Sequence, residues 1–209
     1  MGNRRVFVDN ARLHCCYRET TLSDFSDARP RPLPPVWFEL DTGGLRDISR
    51  DWRYWLEDRG SLTRRLMAVS GGQFDVEIVR QYMGKPRRDE ARELAIAAGR
   101  WAMIREVTLY GQGQPWVFAR SIIPLTTLTG RQRRLRHLDN RPLGQLLFND
   151  PAMTRGPVQV ARLSARWLPE PLRGDDEPCW ARRSVFRLEG KPLLVSETFL
   201  ATFDPRRRP

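Results

Sequence analysis

The stretch WAMIREVTLYGQGQPWVFARSIIP, residues 101–124, predicts a β-hairpin. Two runs rich in β-branched and aromatic residues flank GQGQ, residues 111–114, which is a glycine-containing polar turn. A second hairpin follows near the end of the sequence, where ARRSVFRL and LLVSETFLATF flank EGKP, residues 189–192. Because hairpins dominate over βαβ units, we expect a single α+β domain with an antiparallel β-sheet and helices packed on one face.

Each hairpin places one charged residue on an otherwise apolar strand face: Arg105 in the first and Glu197 in the second. Alternate side chains of a strand point to the same face, so both charges are expected to face the core. A buried ion is costly unless it is paired. The sequence leaves two partners open, which are the other charge and a bound ligand. The apolar neighbours are Trp101, Met103, Val107 and Leu109 in the first set, and Leu193, Val195 and Phe199 in the second.

Composition limits the classes of protein that this chain can represent. A length of 209 residues with 40% hydrophobic residues suits one sizeable domain. No apolar run is long enough to span a membrane, and no secretory signal is recognised. Three cysteines without disulfide or metal spacing favour the reducing cytoplasm. The net charge of +11 is spread along the chain without a nucleic-acid-binding motif, so nucleic acid is not the predicted partner.

The sequence divides into three parts. Residues 1–46 are rich in proline and arginine and include RPRPLPP, so we expect a flexible N-terminal extension. Residues 47–205 carry the periodic apolar patterns of a folded domain, and residues 206–209 form a basic tail that is expected to be disordered. Two histidines offer little chemistry: His137 lies in a basic stretch expected to be solvated, and His14 has only neighbouring cysteines as potential metal ligands.

Three long motifs within this domain carry a family resemblance. They are REVTLYGQGQPWVFARSIIPLTTL, RPLGQLLF and CWARRSVFRLEGKPLLVSETFL, preceded by the shorter GSLTRRL. Their order and spacing resemble those of the chorismate pyruvate-lyase family over about residues 48–204. The sequence departs from the family pattern in its N-terminal extension and in an insertion near residues 168–178, which could alter a loop near the site.

The resemblance implies a chorismate lyase-like fold and a set of site residues. Arg105 matches the arginine that binds the ring carboxylate, and Glu197 matches the glutamate near the ring oxygen substituent. Leu143 matches the leucine whose backbone amide binds the carboxylate, and Pro142 before it suits the start of a short helix with free amides. Leu62 matches a methionine over the pocket. A guanidinium suits carboxylate binding because it donates two parallel hydrogen bonds.

The reaction implied by the resemblance is elimination of pyruvate from chorismate to give 4-hydroxybenzoate, the first step of ubiquinone biosynthesis. Aromatisation drives this reaction, so no cofactor or metal is expected, and the enzyme is expected to be a cytoplasmic monomer. Glu197, on an apolar face, either transfers a proton as a donor or shuttle or only orients the substrate. Arg182 and Arg183 either help to bind the second carboxylate of chorismate or form a solvated strand end.

A ligand-sensing domain is the alternative from a different class. The effector domains of some bacterial transcription regulators resemble the lyase fold and bind small molecules without converting them. Those proteins normally carry a winged helix-turn-helix before the sensor, and residues 1–46 are too short and too rich in proline for one. The presence of both Arg105 and Glu197 within full-length lyase motifs therefore favours the enzyme.

Overall fold

The structure, a computed structural model, describes residues 33–39, 48–174 and 177–209, which lie within one compact unit. Within these residues the chain forms one sheet of eight strands: β1 (Phe38–Glu39), β2 (Phe74–Gly84), β3 (Ala102–Gly111), β4 (Gln114–Pro124), β5 (Met153–Arg155), β6 (Gln159–Leu163), β7 (Cys179–Leu188) and β8 (Lys191–Phe199). The helices are α1 (Arg50–Leu56), α2 (Leu62–Val69), α3 (Arg88–Glu93) and α4 (Leu143–Phe148), with 3₁₀ segments at Gly130–His137, Ala165–Trp167 and Glu170–Leu172.

Both predicted hairpins are present and lie side by side. The sheet order is β1-β6-β7-β8-β4-β3-β2, with β5 pairing β7, and every pairing is antiparallel. The first turn places Gln112 and Gly113 at positive φ, and the second does the same with Glu189 and Gly190. Two successive residues at positive φ are typical of the tight turns that match strand twist. The predicted α+β fold with an antiparallel sheet is therefore confirmed.

Helices α1, α2 and α4 cover the sheet face that carries Arg105 and Glu197. Trp55 and Leu56 of α1 and Leu66 of α2 are fully buried in a cluster that includes Phe199 of β8. Ser61 caps α2 by accepting a hydrogen bond from the amide of Arg64, as the predicted helix start requires. No helix among the described residues is long and apolar enough to cross a membrane.

The opposite sheet face carries α3, which the prediction of helices on one face did not include. Leu94, at the end of α3, packs with Ile104 and Ile122, whose positions alternate with those that face the other helices. A buried ion network joins α3 to the sheet here: Arg120 contacts both Glu90 and Glu106. The predicted insertion also lies on this side, since Leu168 packs with Phe118 and Leu200, so its described part is remote from the face that carries Arg105.

The two ends of the chain contact the domain wherever they are described. Most of the predicted extension, including His14, Cys15 and Cys16, lies outside the described residues. The last part of the extension contacts the domain, because Phe38 pairs with β6 and the guanidinium of Arg183 lies 4.3 Å from the centre of the Trp37 ring. The C-terminal tail was expected to be disordered, but Arg207 lies over the Trp116 ring and Arg208 binds Asp51.

Glu90 gives a stability prediction with a defined pH dependence. Burial opposes its ionisation, but hydrogen bonds from Arg120 and the charge of Arg87 outweigh this effect and lower its pKa below 4.5. A lowered folded-state pKa stabilises the protein above the unfolded value, and this contribution is lost as the pH falls through the folded value. We expect Glu90→Gln to lower the free energy of unfolding at neutral pH by about 1–3 kcal/mol.

The check on Glu90 is urea unfolding at neutral pH and at about pH 3. Wild-type protein should lose more stability between the two conditions than Glu90→Gln, because the variant lacks the carboxylate. An equal loss in both proteins would show that Glu90 does not carry this part of the acid sensitivity.

Gly111 gives a second stability prediction. A Cβ atom at this position would lie 2.1 Å from the ring of Trp116, which is fully buried and has no room to move. We expect Gly111→Ala to destabilise the fold by about 3 kcal/mol, at the upper end of overpacking effects. Gly156→Ala is the matched control, because its Cβ would meet no atom closer than 3.4 Å, and it should change stability by about 1 kcal/mol or less. Equal unfolding midpoints for the two variants would contradict the steric argument.

Candidate active site

A cavity lies between the sheet and helices α2 and α4. Its lining brings together all four residues that the family resemblance singles out: Leu62, Arg105, Leu143 and Glu197. Leu62 is the first residue of α2, Leu143 is the first residue of α4, and the two charged residues come from β3 and β8. Residues far apart in the sequence therefore meet in one place.

Small side chains on the central strand make room for the cavity. Ala119 and Ser121 of β4 lie between β3 and β8 on the cavity face, and both line the cavity. Arg105 pairs with Ser121 in the register, whereas Glu197 pairs with Ala119. Two strand spacings and a two-residue offset separate the Cα atoms of Arg105 and Glu197 by about 12 Å. Among the described residues the two charges form no ion pair with each other, because each side chain binds other groups, so that alternative for their burial is wrong.

Arg105 is held by neutral groups. Its side chain is buried, with 2% of the residue exposed. It donates to the side-chain oxygen of Gln81, its cross-strand neighbour on β2, at 3.0 Å, and to the backbone carbonyls of Asp139 at 2.5 Å and Arg141 at 3.5 Å. Burial lowers the pKa of this guanidinium, although the charge of Asp139 acts in the other direction. Among the described residues no carboxylate forms an ion pair with Arg105, so an anion entering the cavity would complete its environment.

Glu197 forms its ion pair with Arg182 and not with Arg105. Its Oε2 accepts a hydrogen bond from Nε of Arg182 at 2.7 Å, and the two residues face each other across β7 and β8. The Arg182 guanidinium is almost fully buried and also donates to the carbonyls of Trp55 and Asp58. Arg182 is therefore a lining residue that fixes Glu197 in the cavity, and the alternative of a solvated strand end is wrong for it.

Arg183 points away from the cavity. Adjacent strand residues face opposite sides of a sheet, and Arg183 forms ion pairs with Asp89 and Glu93 of the α3 region instead. Arg183 is buried on the other face, so both alternatives considered for it, the second carboxylate and a solvated strand end, are wrong. His137 is exposed at the end of its 3₁₀ segment, as expected.

One lining arginine was missed in the sequence. Arg155, in β5, contacts Ser184 through Nε at 3.0 Å and lies over the ring of Phe186 at 5.1 Å. The short strand MTR has no alternating apolar pattern, so nothing in the sequence marked Arg155 as facing a cavity. Only the pairing of β5 with β7 places it there.

Helices α2 and α4 approach each other closely above the cavity. A Cβ atom at Gly144 would lie 3.1 Å from Oγ1 of Thr63, so the small residue permits this contact. Leu143 precedes Gly144, and the first amides of a helix have no partner within the helix itself. Leu143 lines the cavity at the start of α4, together with Leu62 and Leu147.

Sequence comparison finds a matching family and several relatives. The profile of the family described as "Chorismate lyase" matches residues 36–206. A "Probable chorismate pyruvate-lyase" from Methylococcus capsulatus is 44% identical over 70% of this chain and 92% of its own length. A protein of the same name from Marinobacter nauticus is 39% identical over 86% of this chain and 94% of its own. Another, from Pseudomonas aeruginosa, is 41% identical over 81% of this chain and 93% of its own.

Solved structures with a similar arrangement include domains of transcription regulators. The effector domain of PhnF from Mycobacterium smegmatis gives a TM-score of 0.49 at 18% identity, covering 69% of this chain and 93% of that domain. A GntR-family regulator from Bacillus cereus gives a TM-score of 0.47 at 13% identity, covering 63% of this chain and 95% of that one.

Proposed function

This chain belongs to the chorismate lyase family, and on that basis we propose that it eliminates pyruvate from chorismate to give 4-hydroxybenzoate. The family consists of carbon–oxygen lyases, so the chain is assigned to the same enzyme class. The observation that carries the proposal is Arg105, a buried guanidinium in a cavity with no ion-pair partner among the described carboxylates. A ring carboxylate bound there would supply the missing charge through two parallel hydrogen bonds.

The proposed reaction balances without any further reactant. The C–H bond at the hydroxyl-bearing ring carbon breaks, together with the C–O bond that joins the neighbouring ring carbon to the enolpyruvyl oxygen. The electrons of the C–H bond complete the aromatic ring, and those of the C–O bond leave with the enolpyruvate. A proton taken up at its methylene carbon converts enolpyruvate into pyruvate. The protein therefore has to orient a dicarboxylate and accommodate a moving proton and a developing negative charge.

Glu197 is suited to the proton side of this chemistry. Its ion pair with Arg182 holds the carboxylate in one orientation, and its side chain lines the cavity about two strands away from Arg105. With the ring carboxylate on Arg105, the opposite end of the ring reaches toward Glu197. We propose that Glu197 accepts a hydrogen bond from the ring hydroxyl and takes part in moving the ring proton.

The leucines have simpler proposed roles. The backbone amide of Leu143 is proposed to donate a hydrogen bond to the same carboxylate as Arg105, since it begins α4 at the cavity. The side chain of Leu62 is proposed to cover the ring from α2. Apolar contacts of this kind exclude water from the reacting centre.

Turnover distinguishes the lyase from the alternative of a sensing domain. Purified protein should be mixed with chorismate, and 4-hydroxybenzoate and pyruvate should be measured by chromatography and by an enzymatic pyruvate assay. We expect equal amounts of the two products, formed at a rate proportional to protein concentration. Binding of chorismate without product formation would contradict the lyase and support the sensor. The place of the reaction in ubiquinone biosynthesis, the cytoplasmic location and the monomeric state belong to the same proposal.

A further inference from the structure

Arg155 is the cavity arginine that the proposed mechanism has not used. Its Nε donates to Oγ of Ser184 at 3.0 Å, and its Nη1 makes longer contacts of 3.4 and 3.3 Å with the carbonyls of Asp58 and Gly60. Its Nη2 has no hydrogen-bond partner among the described residues. The nearby carboxylate of Asp58 is taken by another residue, because Asp58 pairs with Arg65 at 2.8 Å. Arg155 therefore has hydrogen-bonding capacity left over and no ion pair within the described residues.

The residues that line the cavity carry more positive than negative charge. The charged lining residues are three arginines and one glutamate: Arg105, Arg155, Arg182 and Glu197. Arg182 and Glu197 neutralise each other, and Arg182 is further occupied by two backbone carbonyls. Two positive charges remain, on Arg105 and Arg155. This balance fits a ligand with two negative charges better than one with a single carboxylate.

The two remaining charges lie on strands on either side of β8, the strand that carries Glu197. In the sheet, β3 with Arg105 is two strands from β8 with Glu197 on one side, whereas β7 and then β5 with Arg155 lie on the other. Burial and the charge of Arg182 lower the pKa of Arg155 to about 10, which leaves the guanidinium charged at neutral pH. An anion bound beside Arg155 would stabilise the charged guanidinium and so offset the effects of burial and of the charge on Arg182.

We propose that Arg155 binds the carboxylate of the enolpyruvyl group of chorismate. This inference rests on the proposed lyase function. The enolpyruvyl ether is attached to the ring carbon next to the one that bears the hydroxyl group. With the ring carboxylate on Arg105 and the hydroxyl group on Glu197, the second carboxylate extends sideways across β7 toward β5. Arg155 pairs there with Phe186, which lies on the Arg105 side of Glu197 in the strand register. Ser184, which contacts Arg155, orients its guanidinium there.

This assignment predicts that Arg155 contacts the substrate but not the aromatic product. In the elimination the carboxylate bound by Arg155 leaves with pyruvate, so 4-hydroxybenzoate keeps only the carboxylate bound by Arg105. Arg155 is therefore a positioning residue for chorismate and for the departing pyruvate, and it makes no ionic contact with the aromatic product. Arg105 contacts both substrate and product.

The test compares a ligand with one carboxylate and a ligand with two. The first is 4-hydroxybenzoate, and the second is 3-(1-carboxyvinyloxy)benzoate, which is already aromatic and has no elimination to undergo. Calorimetric titration of Arg155→Met should show the dicarboxylate affinity falling by about 30-fold or more, as expected when one partner of a buried charge pair is removed. The affinity for 4-hydroxybenzoate should change less than about threefold, and KM for chorismate should rise with the dicarboxylate Kd.

Two further variants complete the design. Arg64→Met removes an exposed positive charge from α2 above the cavity and should leave both affinities unchanged, which controls for general attraction of anions. Arg155→Lys keeps the charge but not the planar donor group, so it should lose part of the dicarboxylate affinity selectively. If Arg155→Met does not fold, Arg155→Lys decides the question by the same selectivity.

Two results would overturn the inference. One is an equal loss of affinity for both ligands, which would show that Arg155 only supports the cavity wall. The other is unchanged affinity for the dicarboxylate. Either result, with chorismate turnover intact in wild-type protein, leaves the lyase function standing. Wild-type protein that neither converts chorismate nor binds 4-hydroxybenzoate would overturn the proposed function and this inference together.

Discussion

Arg105→Ala is expected to lose most of its affinity for both chorismate and 4-hydroxybenzoate. Both ligands carry the ring carboxylate, and the variant would leave that carboxylate desolvated without its ionic partner. The loss should be about 2–5 kcal/mol in binding free energy, as for truncation of one partner of a buried charge pair. Turnover should fall with binding. The measurements are calorimetric titration with 4-hydroxybenzoate and steady-state kinetics with chorismate.

Two variants define what the Arg105 result means. Arg105→Lys should also be impaired, because an ammonium group does not reproduce the paired hydrogen bonds of a guanidinium. Arg64→Ala, which removes an exposed arginine from α2 over the cavity, should bind both ligands like the wild type. Unchanged affinity in Arg105→Ala would reject the assignment of this cavity as the substrate site and leave Arg105 a purely structural residue.

Glu197→Gln is expected to lower kcat by about 10²–10⁴, the usual scale of general acid–base catalysis. The amide has nearly the same shape, and its oxygen is still able to accept from Arg182, but it does not take up a proton. Binding of 4-hydroxybenzoate should therefore change little, and the defect should appear in kcat rather than in KM. Steady-state kinetics across a range of pH would measure both constants.

A role restricted to orientation gives a different result for the same variant. In that case kcat should fall less than about tenfold, and KM should carry most of the change. A kcat equal to that of the wild type would refute proton transfer by Glu197 while leaving the lyase assignment intact. The thermal midpoint of Glu197→Gln serves as the control, because loss of the ionic contact with Arg182 lowers stability without reporting on chemistry.

The sheet faces of the site residues were predictable because strand periodicity is a local property. The alternation around Arg105 and around Glu197 assigned each charge to the apolar side of its strand, and the turn residues joined each strand to its partner. The break before Ser61 likewise fixed the start of α2 from local capping chemistry. All of these features depend on residues only a few positions apart.

The partners of the two charges were not predictable in the same way. Gln81 and Arg182 reach Arg105 and Glu197 across strand pairs whose register depends on the whole sheet. An alternating pattern states which face a side chain occupies but does not state which strand lies beside it. The sequence therefore left open a direct Arg105–Glu197 pair, which the structure does not form because each charge binds other groups.

By itself the sequence determined the two hairpins, the burial of Arg105 and Glu197 on one face, and the family resemblance that its long motifs carry. Only the tertiary structure decided that Arg182 neutralises Glu197, that Arg183 faces the other side, and that Arg155 lines the cavity. The physical reason is that local patterns specify the direction of each side chain, whereas charge balance in a cavity depends on contacts between strands that are remote in the sequence.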